Sequence, residues 1–203
     1  MAATESTLGY DDPASPDRYM HSLYRNIGGT DKEEQVILLG EHVLATYSAL
    51  AAGIATTTSA AHLICIEADG TNYIRLHRIW VQQVVGAGSA TLAQLALFRT
   101  TTASSAGSSV TARPYDGADS AFGGVIRTIP TKGTEGVQLL QARLWLTNTI
   151  AANPNTWEWV ARPDQKPLII GPAVTDGVAL KIITGIATST VDITLEFSQT
   201  AYL

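Results

Sequence analysis

The chain has 203 residues and a net charge of −5, and 15 % of its residues are charged, against roughly 25 % in an average soluble domain. Residues 1–50 hold eight acids and three bases and the remainder is balanced, which argues against a nucleic-acid partner that needs a basic face. So few charges would cover a monomer poorly, and we expect other protein to cover part of the surface.

The first part of the chain contains prolines, aspartates and glycines and has no apolar period, yet it includes several tyrosines. Disordered segments are poor in aromatic residues. We therefore interpret residues 1–32 as an extended N-terminal arm that is ordered by lying on another surface. A short helical turn over Asp17–Tyr24 is a second interpretation of part of the arm. The start lacks a basic and an apolar region, so we expect no signal peptide.

The stretch EEQVILLGEHVLATYSALAAG, residues 33–53, has two competing interpretations. QVILL and HVLATY are typical of short strands separated at Gly40, whereas residues 41–52 also fit a helical stripe; strand or extended structure is favoured. The apolar run VLATYSALAAGIA is too short and too polar to span a bilayer, which needs about 20 apolar residues. We expect no membrane partner.

From Ala61 onward, apolar β-branched runs alternate with breaks rich in glycine and serine. The run VDITLEF, Val191–Phe197, places apolar and polar residues in strict alternation, so one face is buried and the other is wet. This pattern predicts an all-β, antiparallel β-sandwich over residues 33–203. We predict that VDITLEF is its closing strand, buried against strands such as VALKIIT and RIWVQQ.

Two strands carry further information. In YIRLHRIWVQQ the apolar parity changes, which predicts either a β-bulge near His77–Arg78 or a strand buried on both faces. In VQLLQARLWL one side is apolar, and the other side mixes apolar with polar residues (Val137, Leu139, Gln141, Arg143 and Trp145). That mixed face suits burial against a neighbouring subunit.

A search for catalytic and binding patterns returns none. The four histidines lack the spacing of a metal site, and GxSxG, Walker A and strand-linked GxGxxG motifs are missing. Cys65 lies in the apolar run HLICIEA without an obvious base, which predicts a buried, inert thiol. No sequence pattern favours a catalytic carboxylate pair formed in space by Glu158 or Glu196 with another acid. We predict no enzyme activity, no metal and no cofactor, and we interpret YDGADS and TDG as plain turns.

Three stretches in this order resemble small virion structural proteins of tailed bacteriophages. They are EEQVILLGEHVLATYSALAAG, then HLICIEADGTNYIRLHRIWVQQ leading to ALFRTTTASSAGSSVTARPYDGADSAFGG, then TKGTEG with KPLIIGPAVTDGVALKIITGIATSTVDITLEF. The resemblance implies a capsid decoration (cement) protein or a related head or tail component, usually a homotrimer, with a jelly-roll-like sandwich. It implies the major capsid protein or another virion protein as partner, and a place in the virion, assembled in the host bacterial cytoplasm.

This resemblance and the composition give a first hypothesis, a non-enzymatic decoration protein that binds the outer head surface and stabilises capsomer contacts. Trimerisation would cover the edge strands of the sandwich. The arm would contact a neighbouring subunit or the shell through aromatic and basic residues, for which the candidates are Tyr10, Arg18, Tyr19, Tyr24 and Arg25.

The alternative hypothesis is a tail, neck or receptor-binding virion component with a carbohydrate-binding β-sandwich. Trp157 and Trp159 in TWEWVA share one face of a predicted strand. Exposed, they could stack on a sugar ring; buried, they belong to the core or to a subunit interface, which is the favoured interpretation. A hydrolase with carboxylates that meet only in space is a third, weaker hypothesis.

Overall fold

The structure, a computed structural model, describes residues 5–8, 20–27, 30–36, 44–149, 155–162 and 166–201. Within these residues every regular element is a β-strand. The chain divides into two compact units, residues 1–43 and residues 44–203.

The N-terminal unit contains a three-stranded antiparallel sheet in the order β1-β2-β3. Its strands are β1 (Glu5–Leu8), β2 (Met20–Ile27) and β3 (Thr30–Val36). The helical turn considered over Asp17–Tyr24 is wrong for the residues that lie in β2, because backbone pairing with β1 and β3 holds them extended. The predicted limit of the arm, residue 32, falls within β3, and the two units divide after Val43.

The second unit is built from two antiparallel sheets. Its strands are β4 (Ala45–Ala55), β5 (Ala61–Glu67), β6 (Tyr73–Val85), β7 (Thr91–Thr100), β8 (Ser108–Ser109), β9 (Arg113–Pro114), β10 (Val125–Thr128), β11 (Glu135–Leu146), β12 (Thr156–Val160), β13 (Leu168–Ile170), β14 (Gly177–Thr184) and β15 (Thr190–Thr200). Sheet I has the order β12-β6-β15-β4-β9, with β13 also paired to β6. Sheet II has the order β11-β7-β14-β5-β10-β8.

The longer strands pair in a nested order. The first, β4, pairs with the last, β15; β5 pairs with β14, β6 with β12, and β7 with β11. A long antiparallel hairpin wound into two sheets gives this order, which is that of a jelly roll. The predicted jelly-roll-like antiparallel β-sandwich is therefore confirmed.

The stretch VDITLEF forms most of β15 and supplies the centre of the core. Val191, Ile193, Leu195 and Phe197 are at most 2 % exposed, so the predicted burial of one face is confirmed. Of the two strands predicted to pack against its buried face, one does so and the other does not. VALKIIT lies in β14 of the opposite sheet, but RIWVQQ lies in β6, which is hydrogen-bonded to β15 within sheet I. The nested winding places the last strand between the first and the third.

A β-bulge interrupts β6 at His77. Leu76 pairs with Phe197 and Arg78 pairs with Glu196, so His77 is the extra residue. The bulge restores a single buried face, with Leu76 and Ile79 both inward, and the predicted bulge near His77–Arg78 is confirmed. The alternative of a strand buried on both faces is wrong, because the intervening outward residues are only half-buried.

The ambiguous stretch before Ala55 forms strand β4, and the helical alternative for residues 41–52 is wrong over the part that β4 covers. On one side β4 pairs with β15, and on the other side it pairs with the short strand β9 through Tyr47 and Ser48 only. Tertiary pairing along the whole of β15 outweighs the helical stripe in the sequence.

The connection between β7 and β11 contacts sheet II at Glu67. Its backbone hydrogen bonds join Thr101 to Thr134 and Ser105 to Thr131, and the amide of Ser104 donates to the carboxylate of Glu67 at 2.5 Å. Cys65 is buried beneath this connection, outside the main core. The predicted buried thiol is confirmed.

Candidate self-association surface

The edge strand of sheet II exposes apolar side chains to solvent. In β11, Val137 is 69 % exposed, Leu139 36 % and Trp145 50 %, and Leu92 of the neighbouring β7 is 40 % exposed. We call these four residues the β11 surface. Scattered exposed apolar residues are common, but several on one sheet edge mark an interaction site.

Strand alternation explains why Trp145 and Leu92 of the β11 surface are exposed. Leu144 and Leu146 point into the core and are at most 2 % exposed, so Trp145 between them points outward. Trp145 is the cross-strand partner of Leu92, and such aromatic–aliphatic pairs stabilise a sheet. The two faces predicted for VQLLQARLWL are present in the structure.

Bulges in β11 explain why Val137 and Leu139 are exposed. The register between β11 and β7 shifts twice, between Glu135 and Gln138 and between Gln138 and Leu140. All four residues from Gly136 to Leu139 are consequently exposed. Bulges bend an edge strand away from further backbone pairing. The β11 surface is therefore suited to packing through side chains rather than to the addition of another strand.

The polar part of this face carries little charge. Between Val137 and Leu146, Arg143 is the single charged residue, and it lies opposite Gln94 of β7. The centres of protein–protein interfaces are depleted in charge and enriched in aromatic residues and arginine. The composition of the β11 surface matches that pattern.

A partly buried ion cluster anchors the start of β11. The two carboxylate oxygens of Glu135 lie 2.8 and 2.9 Å from Nζ of Lys181 in β14. Nε2 of His62 in β5 lies 3.1 Å from Oε1 of Glu135, and Nζ of Lys132 lies 3.6 Å from the same oxygen. We call these four residues the Glu135 cluster. Lys181 also lies 5.1 Å from the ring centroid of Phe98.

The environment of the cluster shifts two pKa values downward. Burial lowers the pKa of His62, and the hydrogen bond and charge of Glu135 offset only part of that effect. Burial alone would raise the pKa of Glu135, but its contacts with Lys181, His62 and Lys132 lower it overall. At neutral pH the cluster therefore holds an ionised Glu135 and a neutral His62.

The two tryptophans of β12 pack against the core. Trp157 and Trp159 are half-buried, whereas Thr156, Glu158 and Val160 between and beside them are exposed. The favoured interpretation, core or interface rather than free stacking platforms, agrees with this packing. The most exposed described tryptophan is Trp145 of the β11 surface.

The acids considered for hydrolysis are bound to one arginine. Nε of Arg78 lies 2.5 Å from Glu158, and Nη1 of Arg78 lies 3.4 Å from Glu196. The hydroxyl of Tyr115 also donates to Glu196, at 3.2 Å. Each of the two carboxylates is therefore held in an ion pair with Arg78.

Sequence patterns interpreted as turns are turns in the structure. In YDGADS the carboxylate of Asp116 accepts from the amide of Ala118 at 2.9 Å, and in TDG the amide of Asp176 donates to Ala173. Within the described ranges, no three His, Cys, Asp or Glu side chains are grouped to hold a metal ion.

The predicted arm contacts remain predictions. Tyr10, Arg18 and Tyr19 lie outside the described residues, and Tyr24 and Arg25 lie in β2, where their backbones pair with Glu33 and Lys32 of β3. The sequence reasoning missed Leu92 and the Glu135 cluster. A lysine within the apolar run VALKIIT was the available signal for a buried ion pair, since lysine is seldom buried unless it is paired.

Comparison of the chain with protein-family models, with curated proteins and with solved structures gave no match. Among the described residues no helix is long and apolar enough to cross a membrane.

Proposed function

We propose that this protein is a bacteriophage virion structural protein, a decoration (cement) protein that coats the outer head surface and stabilises capsomer contacts without catalysis. The observation that carries the proposal is the β11 surface, an apolar, nearly uncharged edge on a jelly roll. Its partners in this proposal are further copies of itself in a homotrimer and the major capsid protein. The sequence resemblance and the low charge of the chain support the same role.

The energetics of the β11 surface fit a protein that works in many copies. Full burial of an apolar side chain contributes about 1.5–3 kcal/mol, and these four are already partly buried. The loss of translational and rotational entropy on association costs about 4–15 kcal/mol and opposes the free energy gained by burial. A stable interface also needs about 800 Å² of buried surface on each partner. Self-association through this surface alone is therefore weak, and repeated attachment to one shell strengthens it by multivalency.

The arm completes this proposal. Tyr10, Arg18, Tyr19, Tyr24 and Arg25 would contact a neighbouring subunit or the shell, adding the area that the β11 surface lacks. Tyrosine suits this role because it gives a large contact area at a low entropy cost.

A receptor-binding or tail component is the second candidate. The observation in its favour is that Trp157 and Trp159 lie on the edge strand β12 and are only half-buried where they pack against the core. A glycan array with Trp157→Ala and Trp159→Ala as controls tests it. Binding that both substitutions abolish would replace the decoration role by this one.

The self-association step is tested by charge substitution with a matched control. Val137→Asp should abolish oligomers in sedimentation-velocity experiments, whereas Val174→Asp should leave them unchanged. Both valines are more than half exposed, but Val174 lies in a loop before β14. Trp145→Ser, as a second variant, should weaken the oligomer. A wild-type monomer at high concentration would refute the proposed surface.

The virion role is tested by copy number in purified particles. Quantitative mass spectrometry should find many copies per particle, distributed over the head in electron micrographs after antibody labelling. A few copies at the tail or at one vertex would favour the tail or receptor-binding role, and absence from particles would refute both.

A further inference from the structure

The segment that leads into the β11 surface lies over a buried histidine. Residues 129–135, which we call the flap, are joined to β5 by the amide of Ile129, which donates to the carbonyl of Leu63 at 3.0 Å. At the other end of the flap, Glu135 bonds to His62 and Lys181. The His62 side chain has no exposed area.

Hydrogen bonding fixes the protonation state of His62 while the flap is closed. A carboxylate only accepts, so Nε2 of His62 carries the proton that is donated to Glu135. Nδ1 is then unprotonated, and within the described part of the chain it has no hydrogen-bond partner. A second proton, on Nδ1, would create a buried N–H donor without an acceptor, which is unfavourable.

The surrounding charges also oppose a second proton. The charged groups that act on His62 are Glu135 and Lys132 from the flap and Lys181 from β14. The single carboxylate is already bonded twice by Lys181, and the two lysines give the surroundings an excess of positive charge. Once the flap moves away, Glu135 and Lys132 leave with it, while Lys181 stays on β14. Water then reaches the imidazole, so the desolvation that opposes the second proton is lost and a protonated Nδ1 can donate to water.

We propose that the flap is a pH-sensitive element that opens on acidification, because His62 takes up its second proton far more readily in the open form than in the closed form. The flap continues directly into Gly136–Leu139, the bulged start of β11, so opening displaces Val137 and Leu139. Acidification thereby weakens self-association. This last step rests on the proposed function, whereas the opening itself rests on the geometry of the flap.

The uptake of one proton by His62 limits how strongly the opening of the flap depends on pH. The opening equilibrium should be constant above about pH 7 and should rise by at most about tenfold per pH unit below about 6.5, the ordinary pKa of histidine. The rise ends at the lower pKa that His62 has in the closed form.

Hydrogen exchange of the full chain at pH 7.5 and pH 5.5, corrected for intrinsic rates, tests the opening. The amides of Ile129 and Thr131 should exchange up to about tenfold faster at the lower pH. His62→Gln, which keeps a donor to Glu135 but cannot ionise, should remove this acceleration. His77→Gln is the matched control: its half-buried ring bonds to Ser198 on sheet I, away from the flap, and the acceleration should persist.

Equal corrected exchange at both pH values, or acceleration that persists in His62→Gln, would overturn the proposal. If His62→Gln does not fold, Glu135→Gln provides the test, because weaker contacts with Lys181 should open the flap already at pH 7.5. Sedimentation of the wild type at both pH values separates the two proposals. A monomer throughout refutes the proposed self-association, whereas an oligomer of equal strength at both values refutes only the coupling.

Discussion

At the scale of single residues, alternation along β15 separates positions that tolerate charge from those that do not. Ile193 has no exposed area, and the adjacent Thr194 faces outward and is half-buried. Ile193→Asp places an unpaired carboxylate in the core, which also loses about 2–5 kcal/mol of apolar contacts. We expect that variant to be unfolded by circular dichroism. Thr194→Asp should remain folded, and an unfolded Thr194→Asp would contradict the assignment of the two faces.

The buried thiol of Cys65 makes a second residue-scale prediction. Burial, with the charge and hydrogen bond of Glu67, raises its pKa far above the usual range, so almost no thiolate forms at neutral pH. Because the thiolate is the reactive species, a thiol-specific reagent should label the native protein only as fast as it unfolds. In denaturant the same reagent should label one thiol per chain. Rapid labelling of the native protein would show that Cys65 is accessible.

At the scale of elements, one side chain joins three parts of the sandwich. Gln83 is 1 % exposed; its Nε2 donates to the carbonyls of Val85 and Thr147 and to the hydroxyl of Ser189. Its Oε1 accepts from the amide of Thr147 at 3.0 Å. The end of β6 is thereby tied to the residue that follows β11 and to the one that precedes β15.

Replacing this glutamine should destabilise the sandwich. Gln83→Met keeps the length of the side chain but leaves the amide of Thr147 without its acceptor, at about 1–3 kcal/mol. It also removes the bonds that Nε2 donates to Val85, Thr147 and Ser189, at about 0.5–1.5 kcal/mol each. We expect a loss of about 2–4 kcal/mol in urea unfolding. Gln82→Met, at the adjacent half-buried position, should change the free energy by about 0.5 kcal/mol or less. Equal losses for the two variants would mean that the network contributes nothing.

The sequence predicts elements well where the signal is local. The alternation in VDITLEF and the parity change at His77 each depend on neighbouring residues, and both predictions are confirmed. Lys181 in an apolar run indicates that a partner exists, but no local signal identifies the partners within the Glu135 cluster, because its hydrogen-bonded members are 46 and 73 positions apart in the chain. Pairs of that kind follow from the register of the sheets, which alternation alone does not specify.

At the scale of the whole molecule, the class of fold follows from composition and pattern, but the nested strand order does not. Many orders of β4 to β15 would bury the same apolar faces. Short antiparallel connections and the absence of crossing loops reduce that number without selecting the jelly roll. The fold itself leaves the function open, since jelly rolls occur in capsid proteins, lectins and cupins alike. The β11 surface therefore carries more of the functional argument than the fold.

The division into two units gives the last prediction. The unit that begins at Leu44 has a hydrophobic core of its own, with members from Ala45 to Phe197. A chain that begins at Leu44 should therefore unfold cooperatively with a free energy within about 1 kcal/mol of the full chain. It should also keep the weak self-association that the β11 surface provides by itself, because that surface is intact. If residues 1–43 provide the contact with the shell, this chain should no longer coat particles that lack the protein.

A full-length chain with Tyr19→Ala and Tyr24→Ala separates the side chains of the arm from its length. Particle binding measured by co-sedimentation should fall for this variant as it does for the truncated chain, while both remain folded and oligomeric. Undiminished coating by the truncated chain would show that the sandwich alone binds the shell. An unfolded truncated chain would show instead that the sandwich needs residues 1–43, because its own core would then be too small to offset the conformational entropy of its strands.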